Sequence, residues 1–202
     1  MRLFLAEFIS VKIFADDTKL YSVIRNTVDR DKLQSCLIAI FEWSAHWQLS
    51  LSPSKRSVLQ VSPAHVNSHC DYHVNDVTLS NADCVSDLGV SYDNKLSFAV
   101  HIDKIVSETS LRSKLLLHCF QSRNPTMLVK ALCTFIRPTL EYCSVVWSPG
   151  FKKDIHRLDP LEAVQRRFTK RLAGLHNMSY CDRLDYLNLD ILYNRCTKSD
   201  DL

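Results

Sequence analysis

Two adjacent carboxylates, Asp16 and Asp17, stand between apolar runs at residues 11–15 and 19–24. Like charges held side by side repel one another, and the repulsion grows as water is excluded. A divalent cation removes that cost. Mg²⁺ takes oxygen ligands and is commonly held by one or two carboxylates together with substrate phosphates. Completed by further oxygen ligands, such a site serves two-metal phosphoryl transfer. A solvated Asp-Asp hairpin turn explains the same dipeptide with no ligand at all.

Two other groups of residues bear on chemistry. His65, His69 and His73 lie four apart with Cys70 and Cys84 nearby, a spacing that suggests zinc. Pro63 and the strand-like stretch 72–74 oppose one helix carrying all three imidazoles, so no zinc site is expected. Residues 71–93 hold Asp71, Asp76, Asp83, Asp87 and Asp93 with no Lys or Arg, which reads as a solvated loop face. Residues 151–171 are the reverse, with seven Lys and Arg against three Asp and Glu. On a helix, Lys152, Arg166, Arg167, Lys170 and Arg171 can meet duplex phosphates, each adding a salt-dependent increment of affinity. A solvated helix face accounts for the same residues.

The elements that must position these groups are legible as patterns. Residues 11–15 and 19–24 read as two strands joined by the tetrad Ala15-Asp16-Asp17-Thr18. Thr27 or Asp29 can cap a helix whose apolar stripe is Leu33, Leu37, Ile40, Phe41, Ser44 and Trp47. Pro53 stops it. Stretches 57–61, 72–74 and 77–79 read as short strands. Beyond them the period changes. Residues 98–118 carry Ile102, Ile105, Leu111, Leu115 and Leu116 on one broad helical face. Pro125 suits a first helical turn, with 127–136 following in register. Pro138 ends or kinks that helix, and the apolar run 140–147 resumes it. After the Pro149-Gly150 turn signal, 155–172 is a further periodic segment.

Composition narrows the field. The chain has 202 residues, room for one domain or two small ones. With 46% apolar and 23% charged residues it has ordinary globular usage. Only 3 glycines exclude a Gly-rich phosphate loop or a dinucleotide fingerprint. The net charge of +3 is compatible with nucleic acid without arguing for it. The 8 cysteines include no C-x-x-C pair and several fall in apolar runs, so free thiols in a reduced intracellular compartment are expected. The N-terminus starts like a signal peptide, but Glu7 and Lys12 break the apolar stretch and no leader is expected. No run reaches the ~18 apolar residues of a membrane helix, and no membrane partner is expected.

The letters around the carboxylates carry more than the dipeptide does. The run from Phe14 through Ala15, Asp16, Asp17, Thr18, Lys19 and Leu20 to Tyr21 resembles the aromatic-Ala-Asp-Asp box in the palm of reverse transcriptases, in particular those of non-LTR (LINE-like) retrotransposons. The resemblance continues in the family's order. Residues 41–49 look like the helix after the box. Leu51-Ser52-Pro53-Ser54-Lys55-Arg56 resembles the Asn-Pro-x-Lys segment of the palm lysine, with serine where asparagine is usual. Asp87-Leu88-Gly89-Val90 looks like the Leu-Gly-Ile/Val segment at the primer grip, and residues 96–102 follow as expected. Residues 137–147 and 161–168 look like the thumb region, so the resemblance spans essentially the whole chain.

What this implies is specific. The fold expected is α+β: part of a right-hand polymerase palm over residues 1–95, then a helical thumb bundle over 96–202. The function implied is RNA-directed DNA synthesis by two-metal nucleotidyl transfer, with Mg²⁺ as cofactor and an RNA template with DNA primer, or their hybrid duplex, as partner. Asp16 would ligate metal, Asp17 would support it, and Lys55 would orient or protonate near the leaving pyrophosphate. In the family, fingers and an upstream metal-binding aspartate precede the box, whereas here the box opens at Phe14. A truncated chain, inactive alone, is therefore expected. A non-catalytic nucleic-acid-binding remnant and an inert translated relic are the alternatives.

Overall fold

The computed structural model describes residues 9–15, 17–49, 51–52, 55–61, 71–75, 77–148 and 158–198. The protein mixes strands and helices in two compact units, Met1–Val85 and Ser86–Leu202. The division falls earlier than residue 95, because the strand Val90–Asp93 packs on the first long helix of the second unit and places Val90 in its core. Among the described residues, no helix is long and apolar enough to cross a membrane. Each described cysteine is a free thiol.

In the first unit, β1 (Ile9–Phe14) and β2 (Asp17–Ser22) form an antiparallel hairpin with Phe14 opposite Asp17 and Ile9 opposite Ser22. The connection is therefore the two residues Ala15 and Asp16, tighter than the expected tetrad. Helix α1 (Thr27–His46) follows. Its N-cap is Asn26, one residue before the expected Thr27. Extended backbone at Asn26 lets its side chain accept from the Asp29 N–H at 2.9 Å, while the Asp29 carboxylate accepts from the Arg25 N–H at 3.1 Å. Leu33, Leu37 and Phe41 pack against buried Tyr72, Val74 and Leu79, whereas Trp47 falls just past the helix and is exposed.

The remaining strands of this unit are two residues each. β3 (Ser57–Val58) runs parallel to β6 (Ser80–Asn81), and β4 (His73–Val74) pairs with β5 (Val77–Thr78). The stretch expected to be a strand to residue 61 is shortened. Val58 reaches the core, while Val61 is exposed and pairs with no described strand. Gln34 fastens α1 to β4: its amide donates to the His73 carbonyl at 2.6 Å and accepts from the His73 N–H at 3.0 Å.

The second unit begins with β7 (Cys84–Asp87) and β8 (Val90–Asp93), a hairpin that is not among the expected strands; the unit boundary falls inside β7. Its two connecting residues, Leu88 and Gly89, both have positive φ, +45° and +83°. Primed turns of this kind match the strand twist. The Tyr142 hydroxyl donates to the Leu88 carbonyl at 3.0 Å and holds the turn.

Helices α2 (Ala99–Cys119), α3 (Pro125–Phe135), α4 (Arg137–Glu141), α5 (Ser144–Trp147), α6 (Asp159–Lys170), α7 (Tyr180–Leu187) and α8 (Leu192–Lys198) build the rest. Asn124 caps α3 by accepting from Thr126 and Met127, with Pro125 in the first turn as expected. Pro138 sits in the first turn of α4, so the chain breaks at fully buried Ile136 and resumes at once. Cys143, with φ +53°, separates α4 from α5.

The core of this unit gathers Ile102, Ile105, Leu116, Leu128, Leu132, Ile136, Leu140, Val164 and Phe168. Burying each such side chain contributes about 1.5–3 kcal/mol relative to leaving it in water. One expectation fails here. Leu111 and Leu115 are more than half exposed, and the buried face of α2 runs instead through Ile102, Ile105, Thr109, Ser113 and Leu116. Steps of three and four along that line keep one azimuth, and Leu111 and Leu115 lie off it.

Candidate nucleic-acid interface

The hairpin turn that carries the paired carboxylates is tight and its surroundings are open. Ala15 takes φ +51°, a left-handed conformation uncommon for a residue with a Cβ. Asp17 is exposed at the start of β2, and Ile13 and Phe14 are each 64% exposed at the end of β1. Asp16 lies outside the described residues. Lys55 is exposed in the same unit, and no hydrogen bond or ion pair joins it to Asp17. Its neighbour Arg56 is the anchored residue, donating to the Ser52 and Leu51 carbonyls at 3.1 and 3.0 Å with its guanidinium 4.3 Å from the Phe41 ring centre.

Mg²⁺ requires near-octahedral oxygen coordination. At the turn the described residues offer Asp17 alone, and no described group of three or more His, Cys, Asp and Glu converges anywhere. The described side chains do not by themselves make a metal site, and no reaction step is assigned to them. His65, His69 and Cys70 lie outside the described residues. The His73 ring shares a 3.1 Å hydrogen bond with the Thr78 hydroxyl.

The cationic stretch is sorted by the helix it lies on. Arg167, Lys170 and Arg171 line clefts between α6 and α2, while Arg166 points elsewhere, its guanidinium 5.1 Å from the Tyr180 ring centre. Lys152 lies outside the described residues. The larger cleft, of about 570 Å³, brings in Lys114, His118 and Arg123, with Arg171 opposite. The smaller, of about 310 Å³, lies among Ser110, Ser113, Lys114, Arg167, Lys170 and Arg171. Lys114, Leu117 and Arg171 belong to both, so the two form one groove. No Asp or Glu lines either part.

Lys114, His118 and Arg123 were missed by sequence reasoning, since no charge run marks them. Arg123 is held by donating to the Leu117 carbonyl at 3.2 Å, beside the C-terminus of α2. Among the described residues, Lys114, Arg167, Lys170 and Arg171 form no ion pair. Arg167 and Arg171, one turn apart, repel each other. The negative end of the α6 dipole offsets part of that cost for Arg167 and Lys170 in its last turn.

Beneath this face runs a buried polar network. Glu162 is buried and accepts from the Tyr180 hydroxyl and from the Leu192 N–H at 2.8 Å. Gln165 donates to the Tyr180 oxygen at 3.2 Å and to the Asp190 carbonyl at 3.0 Å, and accepts from Arg137 at 3.2 Å. Burial first, and then the bond to Glu162, push the Tyr180 phenol well above its usual range. Arg183, 3% exposed, donates to the Met178 carbonyl at 2.7 Å and to Thr169 at 3.3 Å. Arg195 grips Glu141 through both oxygens, at 2.5 and 3.0 Å. These bonds dock α7 on α6 and α8 on both α6 and α4, and they fix the backbone from which Arg167, Lys170 and Arg171 project.

An uncharacterised protein of Caenorhabditis elegans is 34% identical to this chain over 105 residues, which is 52% of the chain and 52% of that protein. The chain thus spans about half the length of the curated relative it matches. No protein-family model matches the chain, and no solved structure does.

Proposed function

We propose that the chain is the C-terminal palm and thumb portion of a non-LTR retrotransposon reverse transcriptase, in which the helical unit holds a template–primer hybrid by its phosphates. The observation that carries this reading is the groove between α2 and α6, whose charged lining is entirely cationic. A surface of that kind binds by releasing condensed counterions and carries no base specificity. The ordered motifs supply the polymerase context. Asp16 and Asp17 occupy the family's metal-binding box, Lys55 the palm lysine, and Leu88-Gly89 the primer-grip turn. Nucleotidyl transfer with Mg²⁺ belongs in this reading to an intact enzyme with further oxygen ligands.

The purified chain should therefore bind duplex or RNA–DNA hybrid weakly and extend nothing. The test is a filter-binding titration across salt, paired with a primer-extension assay containing deoxynucleotides and Mg²⁺. Affinity that falls steeply with salt and is indifferent to base sequence supports the reading. Binding that is absent at low salt would leave the groove a solvated face and favour an inert relic. Extension abolished by Asp16→Ala would show that the box is a working site in this chain alone.

A further inference from the structure

We infer that the smaller cleft between α2 and α6 is a seat for a single phosphoryl group, bound by the Ser113 hydroxyl and the cations Lys114, Arg167, Lys170 and Arg171. The inference rests on the reading of this groove as a phosphate-binding surface, and it names the point where one phosphate leaves the surface and enters the fold.

The observation behind it is an orphaned hydroxyl. Ser113 is 8% exposed and lines the cleft, yet its Oγ is buried with no hydrogen-bond partner. Hydroxyls inside helices ordinarily bond back to a carbonyl in the preceding turn. Thr109, one turn earlier on the same helix, does so: its Oγ1 donates to the Ile105 carbonyl at 2.5 Å. Thr169, on α6, donates to the Gln165 carbonyl at 3.0 Å. Ser113 does neither, and it is the group whose cleft is rimmed by cations without a carboxylate. A buried, unsatisfied donor calls for an explanation, and an acceptor brought by a ligand is one.

An anion satisfies both anomalies at once. A phosphoryl oxygen accepts the Ser113 hydroxyl proton in a charge-assisted bond, and the planar guanidinium groups of Arg167 and Arg171 suit bidentate contact with the remaining oxygens. The apolar side chains of Leu117, Val164 and Phe168 line the same cleft and lower the local dielectric, which strengthens contacts to a charged oxygen. At about 310 Å³ the cleft has room for one phosphate with its hydration, and the broader neighbouring cleft leaves space for the sugars on either side.

The test uses the whole chain with two probes, a short fluorescein-labelled DNA duplex and inorganic phosphate. Ser113→Ala should weaken duplex binding roughly ten-fold, the effect of losing one hydrogen bond to a charged group, and leave the salt slope unchanged because serine carries no charge. Arg167→Ala should weaken binding and lower the slope by about one. Millimolar inorganic phosphate added to the parent chain should move the amide resonances of Ser113 and Arg167, a readout that needs no variant to fold. If phosphate gives that footprint while the duplex does not bind, the seat serves free phosphoryl groups and the nucleic-acid reading fails. If the duplex binds, Ser113→Ala binds equally well and no footprint reaches Ser113, the seat is overturned and the surface reading survives. If neither probe binds, both fall.

Discussion

The carboxylate of Glu162 accepts a hydrogen bond of 2.8 Å from the backbone N–H of Leu192, thirty residues further along the chain. That bond, with the one from Tyr180, ties the first residue of α8 and the first residue of α7 to the first turn of α6. Glu162→Ala leaves the Tyr180 hydroxyl and the Leu192 N–H without their acceptor inside the core. A loss of about 2–4 kcal/mol is expected, since each buried group left unpaired costs about 1–3 kcal/mol. Urea unfolding followed by circular dichroism measures it. A loss under about 0.5 kcal/mol would mean that the network is incidental to docking α7 and α8.

The turn at Leu88–Gly89 offers a paired prediction. Both residues have positive φ, and a Cβ added at Gly89 would lie 3.3 Å from Tyr142 Cε1. Gly89→Ala should destabilise by about 1–2 kcal/mol, the cost of a left-handed non-glycine residue plus a tight contact. Leu88→Asn should stabilise by a few tenths of a kcal/mol or more, because asparagine tolerates that conformation. Opposite signs in the two melting-temperature shifts are the check.

His101 predicts how stability follows pH. The ring is buried edge-on to Trp147, with centroids 5.7 Å apart, and its Nδ1 accepts from the Ser91 N–H at 3.4 Å. That bond assigns the proton to Nε2, which is buried with no partner. Burial first, then nearby Lys104, hold the imidazole below its ordinary pKa, with Glu108 opposing. Below about pH 6.5 the unfolded chain takes up a proton that the folded chain refuses. Stability therefore falls with pH from about 6.5 downward, at no more than about 1.4 kcal/mol per pH unit from this group. Urea midpoints at pH 7.5 and 5.5 should differ less in His101→Gln than in the parent. An equal difference would assign the effect to other groups.

Arg166 and Arg167 are neighbours in sequence with different surroundings. Arg167 lines the groove, and Arg166 lies over the Tyr180 ring. Arg167→Glu should weaken duplex binding about ten-fold or more at low salt and flatten the salt slope, as removal of a phosphate contact does. Arg166→Glu should change affinity much less. Filter binding at two salt concentrations separates them, and equal losses would place the contact surface elsewhere.

Much of the architecture was open to reading from residue order, because it depends on neighbours along the chain. A tight hairpin between two β-rich runs, a helix entered at Asn26–Asp29, and Pro125 in a first turn are local events governed by dihedral preference and nearby hydrogen bonds. So is the change from short strands to helices past residue 95. Local signals were also missed. Ser179 accepts from the Asp182 N–H at 3.2 Å and donates to its carboxylate, a capping pattern that announces α7, and Leu88-Gly89 announces the β7–β8 turn.

What only the tertiary structure decided is which face each helix spends on the core. Leu111 and Leu115 look as apolar as Ile102 and Ile105, and their exposure follows from where α6 comes to rest against α2. That docking sets Arg167 beside Lys114 and sends Arg166 to Tyr180, and it encloses Ser113 without giving its hydroxyl an acceptor. Residues far apart in the chain become a groove only when a helix packs at one particular rotation. Rotation is settled by the summed burial of many side chains, a quantity that no local stretch of sequence contains.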